Sequence, residues 1–397
     1  MKVFTRFILT ATLAAAAAQA QFNFELGSAP VQIHSFGSQG FAASNQNNFL
    51  TMKTSQGSFS MTDGGANVTV KISDRFRVGA QIYDSNTGEI NHWHPQLDWA
   101  LADYKFKDWF GIRGGKVKTT LGLFNDTQDM EFLHNWALLP QSLYPTDLRD
   151  NTIAHLGGDI YGDIQLPKAG SLSYTAYAGK GGNNRRGGYY YNLADSGAPI
   201  NSYSNYVYGG DLKWNSRVPG LMTGVSVLRR STSIVGTSLT PYGGFPYTAD
   251  SSPAETVTAV YADYSKDKLH LNAEFRNDAD HLNIAVLGQP SPLDASTKGW
   301  FVSGSWKLAQ KLEAGAYYSA FLVEHSSTPS DPATKHIYDR VISARYDFNR
   351  IFHVKLEGHF MDGYGDYYSA HGFYLRSNPS GFKPTTNMLL LRTGFSF

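Results

Sequence analysis

The residue types that could do chemistry are concentrated in one part of the chain, between positions 110 and 152. Lys116 and Lys118 alternate within a segment rich in apolar residues. Successive side chains of a β-strand point to opposite faces, so the two lysines share a face. Two interpretations stay open: the lysines attract anions, or they pair with carboxylates and hold the segment that follows. Five carboxylates follow them: Asp126, Asp129, Glu131, Asp147 and Asp150.

Patterns for catalysis and metal binding are weak. The absence of Cys excludes a disulfide scaffold, a thiol nucleophile and Cys-based metal sites. There is no G-x-S-x-G motif, and the 12 His residues are scattered, so we expect no enzyme and no catalytic residues. His92 and His94 flank Trp93 without a third ligand nearby, and the acidic residues lack the spacing of a calcium loop. We therefore expect no metal site and no cofactor.

Composition excludes several further classes of protein. Charged residues make up 17% of the 397 positions and aromatic residues 14%, which is unlike a disordered chain. The net charge of +1 gives no indication of nucleic-acid binding. The mean hydropathy of −0.32 is too low for a bundle of apolar helices, and no segment has 18 consecutive apolar residues.

The first twenty residues have the pattern of a secretory signal peptide. Lys2 and Arg6 precede an apolar stretch from Phe7 to Ala18, and residues 18–20 read Ala-Gln-Ala, a typical cleavage site. The stretch is shorter than a membrane-spanning helix needs. We expect cleavage after Ala20, leaving residues 21–397 as a single domain with 32 basic and 33 acidic residues.

From position 31 onward, much of the sequence alternates with period two, which indicates half-buried strands. In one such run Leu269, Leu271, Ala273 and Phe275 alternate with polar residues. Seven very short turns alternate with eight long polar loops, which predicts sixteen strands. The turns lie near 73–75, 107–109, 167–170, 218–220, 266–268, 309–311 and 349–350. The loops lie near 45–65, 85–95, 125–152, 181–204, 233–253, 280–297, 325–335 and 365–384.

This alternation of turns and loops is typical of an outer-membrane β-barrel, with short periplasmic turns and long outward loops. A barrel needs only every second residue to be apolar, which reconciles a membrane protein with the low hydropathy. The alternative is a secreted β-sandwich or propeller, but those folds have shorter strands. We expect a 16-stranded antiparallel transmembrane β-barrel. An arginine substitution at Leu271, if it faces lipid near mid-membrane, would cost about 2–4 kcal/mol.

The third loop, at about 125–152, differs from the others because its centre is apolar and aromatic. We expect such a loop to fold back into the barrel, because its apolar side chains can pack on the inner wall there. A loop in that position would narrow the channel. In the strand before it, Val117, Thr119, Leu121 and Leu123 suit the lipid side, which places Lys116 and Lys118 in the lumen. Because Ile112 also suits the lipid side, a β-bulge is expected at Gly114-Gly115.

Two stretches, residues 98–129 (DWALADYKFKDWFGIRGGKVKTTLGLFNDTQD) and 136–150 (WALLPQSLYPTDLRD), resemble bacterial porins of the phosphate-selective O and P type. The resemblance implies a trimeric sixteen-stranded channel with its third loop in the lumen. It also implies that basic residues at the constriction select anions, and Arg113, Lys116, Lys118 and Arg149 fit that role. The terminal Phe397 resembles the signal recognised by the barrel assembly machinery.

We therefore expect a passive outer-membrane diffusion channel for small hydrophilic solutes, with small anions such as phosphate preferred. The alternatives are a non-selective or cation-tolerant porin, a barrel enzyme, or a structural or adhesin barrel. Other mixed charges predicted to face inward give no net preference. Outer-membrane lipid is the expected surrounding, and Arg185-Arg186 in an outward loop could contact lipopolysaccharide.

Overall fold

The computed structural model describes residues 22–27, 29–240, 243–325, 330–365 and 372–397. The expected signal peptide, 1–20, lies outside these residues. Sixteen strands form the wall: β1 (Ala29–Ser44), β2 (Ser58–Lys71), β3 (Phe76–Thr87), β4 (Gln96–Lys107), β5 (Phe110–Lys118), β6 (Ala154–Leu166), β7 (Gly170–Gly181), β8 (Ile200–Asn215), β9 (Leu221–Thr240), β10 (Glu255–Lys266), β11 (Leu269–Ala279), β12 (Thr297–Ala309), β13 (Leu312–Val323), β14 (His336–Asp347), β15 (Phe352–Asp362) and β16 (Thr385–Ser396).

Every wall strand pairs antiparallel with its neighbours in the chain, and β16 pairs with β1, so the sheet closes on itself. At the junction Phe36 faces Ser396 and Ser44 faces Met388. Closure removes the sheet edges from the sixteen described wall strands and satisfies the backbone hydrogen bonds between them, which a bilayer core requires. The sequence-based prediction of a sixteen-stranded antiparallel barrel is confirmed.

Smaller elements lie between the wall strands. Helices span Arg149–Thr152 (α1), Gly188–Asp195 (α2) and Gly372–Ser377 (α3), and 3₁₀ turns span Thr54–Gln56, Asn125–Thr127, Glu131–Leu133, Thr146–Leu148 and Pro332–Thr334. None of the helices in the described ranges is long and apolar enough to cross a membrane. Short strands span Phe22–Leu26, Gly243–Ser251, His281–Val286, Gln289–Pro290 and Leu293–Asp294.

The prediction of a loop at 233–253 is wrong for most of these residues, which form paired strands. Strand β9 continues to Thr240, and residues 233–240 pair with strand Gly243–Ser251, which in turn pairs with His281–Val286. The residues there are Ser, Thr, Ile, Val and Tyr as well as Gly and Pro, and β-branched and aromatic side chains favour a pleated sheet. The polar composition that suggested a loop reflects a sheet whose pairing continues beyond the wall.

The two faces of the wall differ in chemistry. On β11, Leu271 and Phe275 are each 41% exposed, whereas the alternate residues Asn272 and Glu274 are buried. The predicted period-two pattern thus places apolar residues outside and polar residues inside. Exposed aromatic residues gather next to the short turns, where rings commonly meet a membrane interface: Tyr104, Phe106, Trp109, Trp214, Trp306, Tyr346, Phe348 and Phe352.

The depth of Leu271 changes the expected effect of an arginine there. Leu271 is only the third residue of β11 after the short turn, so the predicted mid-membrane position is wrong. Val260 lies at the middle of β10, is 49% exposed and faces Phe275 across the strand pair. Mid-wall positions meet hydrocarbon, and positions beside a turn meet the interface.

We expect Val260→Arg to lower the free energy of unfolding by about 2–4 kcal/mol and Leu271→Arg by about 0–1 kcal/mol, because the cost of a charge depends on depth. Urea unfolding of the two variants in lipid vesicles, with Val260→Ala as the control for lost packing, measures the difference. Equal costs for both arginines would contradict this assignment of depth.

Candidate pore constriction

The segment between β5 and β6, residues 119–153, is closed at its base by hydrogen bonds. The backbone amide of Thr119 donates to the carbonyl of Ile153 at 2.9 Å. The buried Asn125 side chain donates to the carbonyls of Thr119, at 2.7 Å, and Thr152, at 2.9 Å. The two ends of a long segment are thereby fixed side by side. This segment contains the third loop predicted at about 125–152, and from here on the name third loop covers all of residues 119–153.

Strand β15 holds the third loop through a buried ion pair. The Glu131 carboxylate contacts the Lys355 ammonium and lies 2.9 Å from Nε2 of His353. The same ammonium donates to the Glu131 carbonyl oxygen at 2.7 Å. Lys355 is fully buried and Glu131 is 6% exposed. Burial raises the pKa of the Glu131 carboxyl, but the charges of Lys355 and His353 lower it by more. The pKa of this carboxyl therefore lies well below its usual value.

Backbone groups of the third loop are also bonded by wall side chains. The Glu357 carboxylate accepts from the amides of Ala137, at 2.8 Å, and Leu138, at 3.1 Å. From β16, Arg392 donates to the Ala137 carbonyl at 2.7 Å and pairs with Asp63 at 2.5 Å. These bonds satisfy polar groups that would otherwise be buried without partners, which is costly.

A third set of contacts comes from β11. The Glu274 carboxylate accepts from the Tyr144 hydroxyl and, at 3.0 Å, from the amide of Leu123. Arg276 donates to the carbonyl of Leu143 at 2.7 Å. The third loop leaves the wall between β5 and β6, and it bonds inward-facing side chains on β11, β15 and β16. It therefore reaches strands about half-way around the wall from its own ends.

The apolar centre of the third loop packs on the wall. Trp136, Leu139, Leu143 and Tyr144 form one buried cluster with Phe301, Tyr317 and Val341 of β12, β13 and β14. The rings of Trp136 and Tyr317 meet edge to face at 5.1 Å, a favourable aromatic arrangement. The apolar residues that distinguished this loop in the sequence thus have a partner surface. Burial lowers the pKa of the neighbouring His134 to about 4, so its imidazole is neutral at pH 7.

Two of the predicted basic residues meet in one cluster at the base of the third loop. The Lys118 ammonium lies 2.5 Å from Asp129 and 3.9 Å from Asp98. Arg149 lies 2.8 Å from Asp98 and 3.4 Å from Asp150, and its guanidinium stacks 4.0 Å from the Tyr83 ring centroid. Burial raises the pKa of Asp129, but Lys118 and Arg149 lower it below its usual value. Three carboxylates here face two cations.

The other two predicted basic residues have different surroundings. Arg113 faces inward, pairs with Asp159 at 3.1 Å and stacks on Tyr161 at 4.5 Å. The backbone of Lys116 pairs with that of Leu156, which is 62% exposed, but the Lys116 side chain lines a pocket together with Asp98, Arg149 and Asp150 of the basal cluster. Its ammonium donates to the Leu97 carbonyl at 2.5 Å.

The β-bulge expected at Gly114-Gly115 is wrong. The register of β5 with β6 runs without a shift from Gly111 to Lys118, so residue parity is kept through Gly114-Gly115. Ile112, Gly114, Lys116 and Lys118 therefore share one row by parity, and the two lysine side chains at the end of the strand turn towards Asp98. Val117, on the other row, is buried. The strand ends at Lys118, and Thr119 and Leu121 are also buried rather than lipid-facing.

The five predicted acidic residues have four different placements. Asp129 and Asp150 join the basal cluster, and Glu131 joins the separate β15 site. Asp126 contributes its backbone carbonyl, which accepts from Lys118 at 2.8 Å. Asp147 is buried at the start of a 3₁₀ turn.

Sequence reasoning assigned no role at the constriction to Asp98, Lys355, Glu357 and Arg392. For most of these residues, the alternation of side chains along the strand predicted that they face inward. Alternation alone does not show which residue across the barrel is the partner. Among the described residues, no group of three or more His, Asp or Glu side chains has an arrangement that could hold a metal ion. His94 instead contacts the Asn91 carbonyl through Nδ1 at 2.9 Å.

Comparison with known proteins gives structural matches only. No protein-family model matches the sequence, and no curated protein matches it. The outer-membrane channel DcaP of Acinetobacter baumannii has a TM-score of 0.58 at 12% identity, covering 95% of this chain and 100% of that one. The fold of the chain is that of these outer-membrane barrels.

Two further solved structures agree with this fold. OmpT, an outer-membrane protein of Vibrio cholerae in a trimer form, has a TM-score of 0.56 at 12% identity, covering 93% of this chain and 99% of that one. The anion-selective porin from Comamonas acidovorans has a TM-score of 0.53 at 10% identity, covering 93% and 100%. Identities this low extend the similarity to fold alone.

Proposed function

We propose that this protein is an outer-membrane porin, a passive diffusion channel for small hydrophilic solutes, rather than an enzyme. In this proposal the third loop crosses the lumen and forms its constriction. The observation that carries it is the set of bonds from the third loop to Lys355, Glu357 and Arg392, on strands distant from its own ends. A closed wall with an apolar outside and a polar inside supports a water-filled path through a membrane.

The pairing of the basic residues favours weak ion selectivity over anion preference. Selection of phosphate or another anion needs positive charge that is not compensated locally. Here Arg113 forms an ion pair with Asp159, Lys118 with Asp129, and Arg149 with Asp98. In the basal cluster Asp98, Asp129 and Asp150 compensate Lys118 and Arg149, and Lys116 lines the same pocket. We therefore propose the non-selective or cation-tolerant form of the channel, with the basic residues holding the third loop in place.

A matched pair of lysine variants tests this arrangement. We expect Lys118→Gln to shift the reversal potential in a KCl gradient toward cation selectivity, because it removes a cation from the basal cluster. Lys311→Gln should leave the potential unchanged, since that ammonium lies at an exposed turn and donates to the Phe348 carbonyl. The measurement uses purified protein in planar bilayers. A strong anion preference of the unsubstituted channel, or an equal shift in the two variants, would contradict the proposal.

Assembly and location belong to the same proposal. The protein would be exported, cleaved after Ala20 and inserted by the barrel assembly machinery. Phe397, which directly follows β16, would belong to the signal that this machinery recognises. It would sit as a homotrimer in outer-membrane lipid, as the trimeric form of a structurally similar barrel suggests. Arg185 and Arg186 precede α2 in the β7–β8 connection, where they could meet anionic lipopolysaccharide.

A further inference from the structure

A second region of the interior has the features of a ligand site. A cavity of about 100 Å³ lies between the first long loop, the third loop and strands β13–β16. This volume holds several water molecules or one small organic group. Most of its lining is apolar, including Phe49, Leu138, Phe321, Ile337, Met361 and Met388. It is separate from the basal cluster, which shares none of these residues.

Among the described residues, two titratable side chains line this cavity, Asp339 and His359. Oδ2 of Asp339 accepts from Nδ1 of His359 at 2.8 Å. The other oxygen, Oδ1, is buried and has no hydrogen-bond partner among the described residues. The residue is 9% exposed. A buried carboxylate oxygen without a partner is costly in a folded protein, and a ligand that donates a hydrogen bond would satisfy it.

The local charge favours a cationic donor. The His359 imidazole lies between two carboxylates, with Asp339 at Nδ1 and Glu357 at 3.4 Å from Nε2. If the imidazole is protonated, Asp339, Glu357 and His359 together still carry one net negative charge. The Lys355 ammonium does not compensate it, because that group is bonded to Glu131 and to the Trp136 carbonyl.

We propose that this cavity binds a small primary ammonium compound with an apolar body, the ammonium donating to Oδ1 of Asp339. The ring or alkyl chain of the ligand would pack against Leu138, Phe321 and Met361. The inference adds a binding site to the proposed channel and does not require that the ligand be transported.

Calorimetric titration of the purified protein, folded in detergent, tests this site with three probes of similar shape. Benzylammonium should bind saturably, benzyl alcohol more weakly, and benzoate should not bind, because it carries a negative charge and has no donor. Benzoate binding as well as benzylammonium, or no saturable binding of benzylammonium, would overturn the proposal.

Two substitutions separate this site from general amine binding. Asp339→Asn should weaken benzylammonium about tenfold or more, the usual loss for a charge-assisted hydrogen bond. Asp263→Asn is the matched control, because Asp263 bonds His270 at 2.7 Å on another part of the wall. Equal binding by both variants would overturn the proposal. Binding is measured without a membrane, so its failure is distinguishable from an absence of channel conductance.

Discussion

Replacing Lys355 by methionine should lower the free energy of unfolding by about 3–5 kcal/mol, the usual cost of removing one partner from a buried ion pair. The ammonium is fully buried and serves the Glu131 carboxylate, the Glu131 carbonyl and the Trp136 carbonyl. Methionine fills a similar volume but leaves the carboxylate in a low-dielectric interior, with His353 beside it and the charge of Arg392 next nearest. Urea unfolding followed by tryptophan fluorescence measures the change.

The double variant Glu131→Gln/Lys355→Met is the control for this prediction. It removes both charges, so it should be clearly more stable than Lys355→Met alone, because no isolated charge remains buried. Lys311→Met, at an exposed turn position, controls for loss of a lysine and should change stability little. If the single and double variants unfold alike, the Glu131–Lys355 pair does not hold the third loop.

The second large effect concerns conductance. Replacing residues 128–146 by a short Gly-Ser linker should raise single-channel conductance severalfold. The replaced part contains Glu131 and Tyr144, which bond to the opposite strands, and Trp136, which packs on them. If this part narrows the lumen, its removal widens the path and also removes the packing against Phe301 and Tyr317. Planar-bilayer recording in symmetric KCl measures the change.

A matched replacement elsewhere shows whether the effect is specific. Residues 288–292 form the tip of another long connection, and Gly288 has a positive φ with open space around it. The same linker placed there should leave conductance unchanged. If the third-loop variant folds but conducts like the unsubstituted protein, the constriction lies elsewhere in the barrel.

Much of the fold was predictable from local sequence signals. Period-two alternation and the spacing of short turns and long loops specify strand number and order, because each hairpin is a local feature. The pattern at Leu271, Asn272, Glu274 and Phe275 correctly separated outside from inside. The apolar centre of the third loop also indicated a buried partner surface, found at Phe301, Tyr317 and Val341.

The partners in the candidate constriction were less predictable, for physical reasons. Parity says that Lys355 and Arg392 face inward, but it does not say which loop atoms reach them across the barrel. The predicted bulge at Gly114-Gly115 was not found, and parity alone did not show that Lys116 and Lys118, which share a row, both turn towards Asp98. Depth was misjudged at Leu271 because alternation carries no information about distance from the membrane interface.

Single-channel recording of the purified, folded protein tests the central claim most directly. If residues 21–397 form a porin narrowed by the third loop, addition of the protein to a planar bilayer should produce stepwise current increases that rise linearly with voltage. Folding is checked separately by the shift in gel mobility on heating. A protein that passes this check but produces no current steps would contradict the channel proposal.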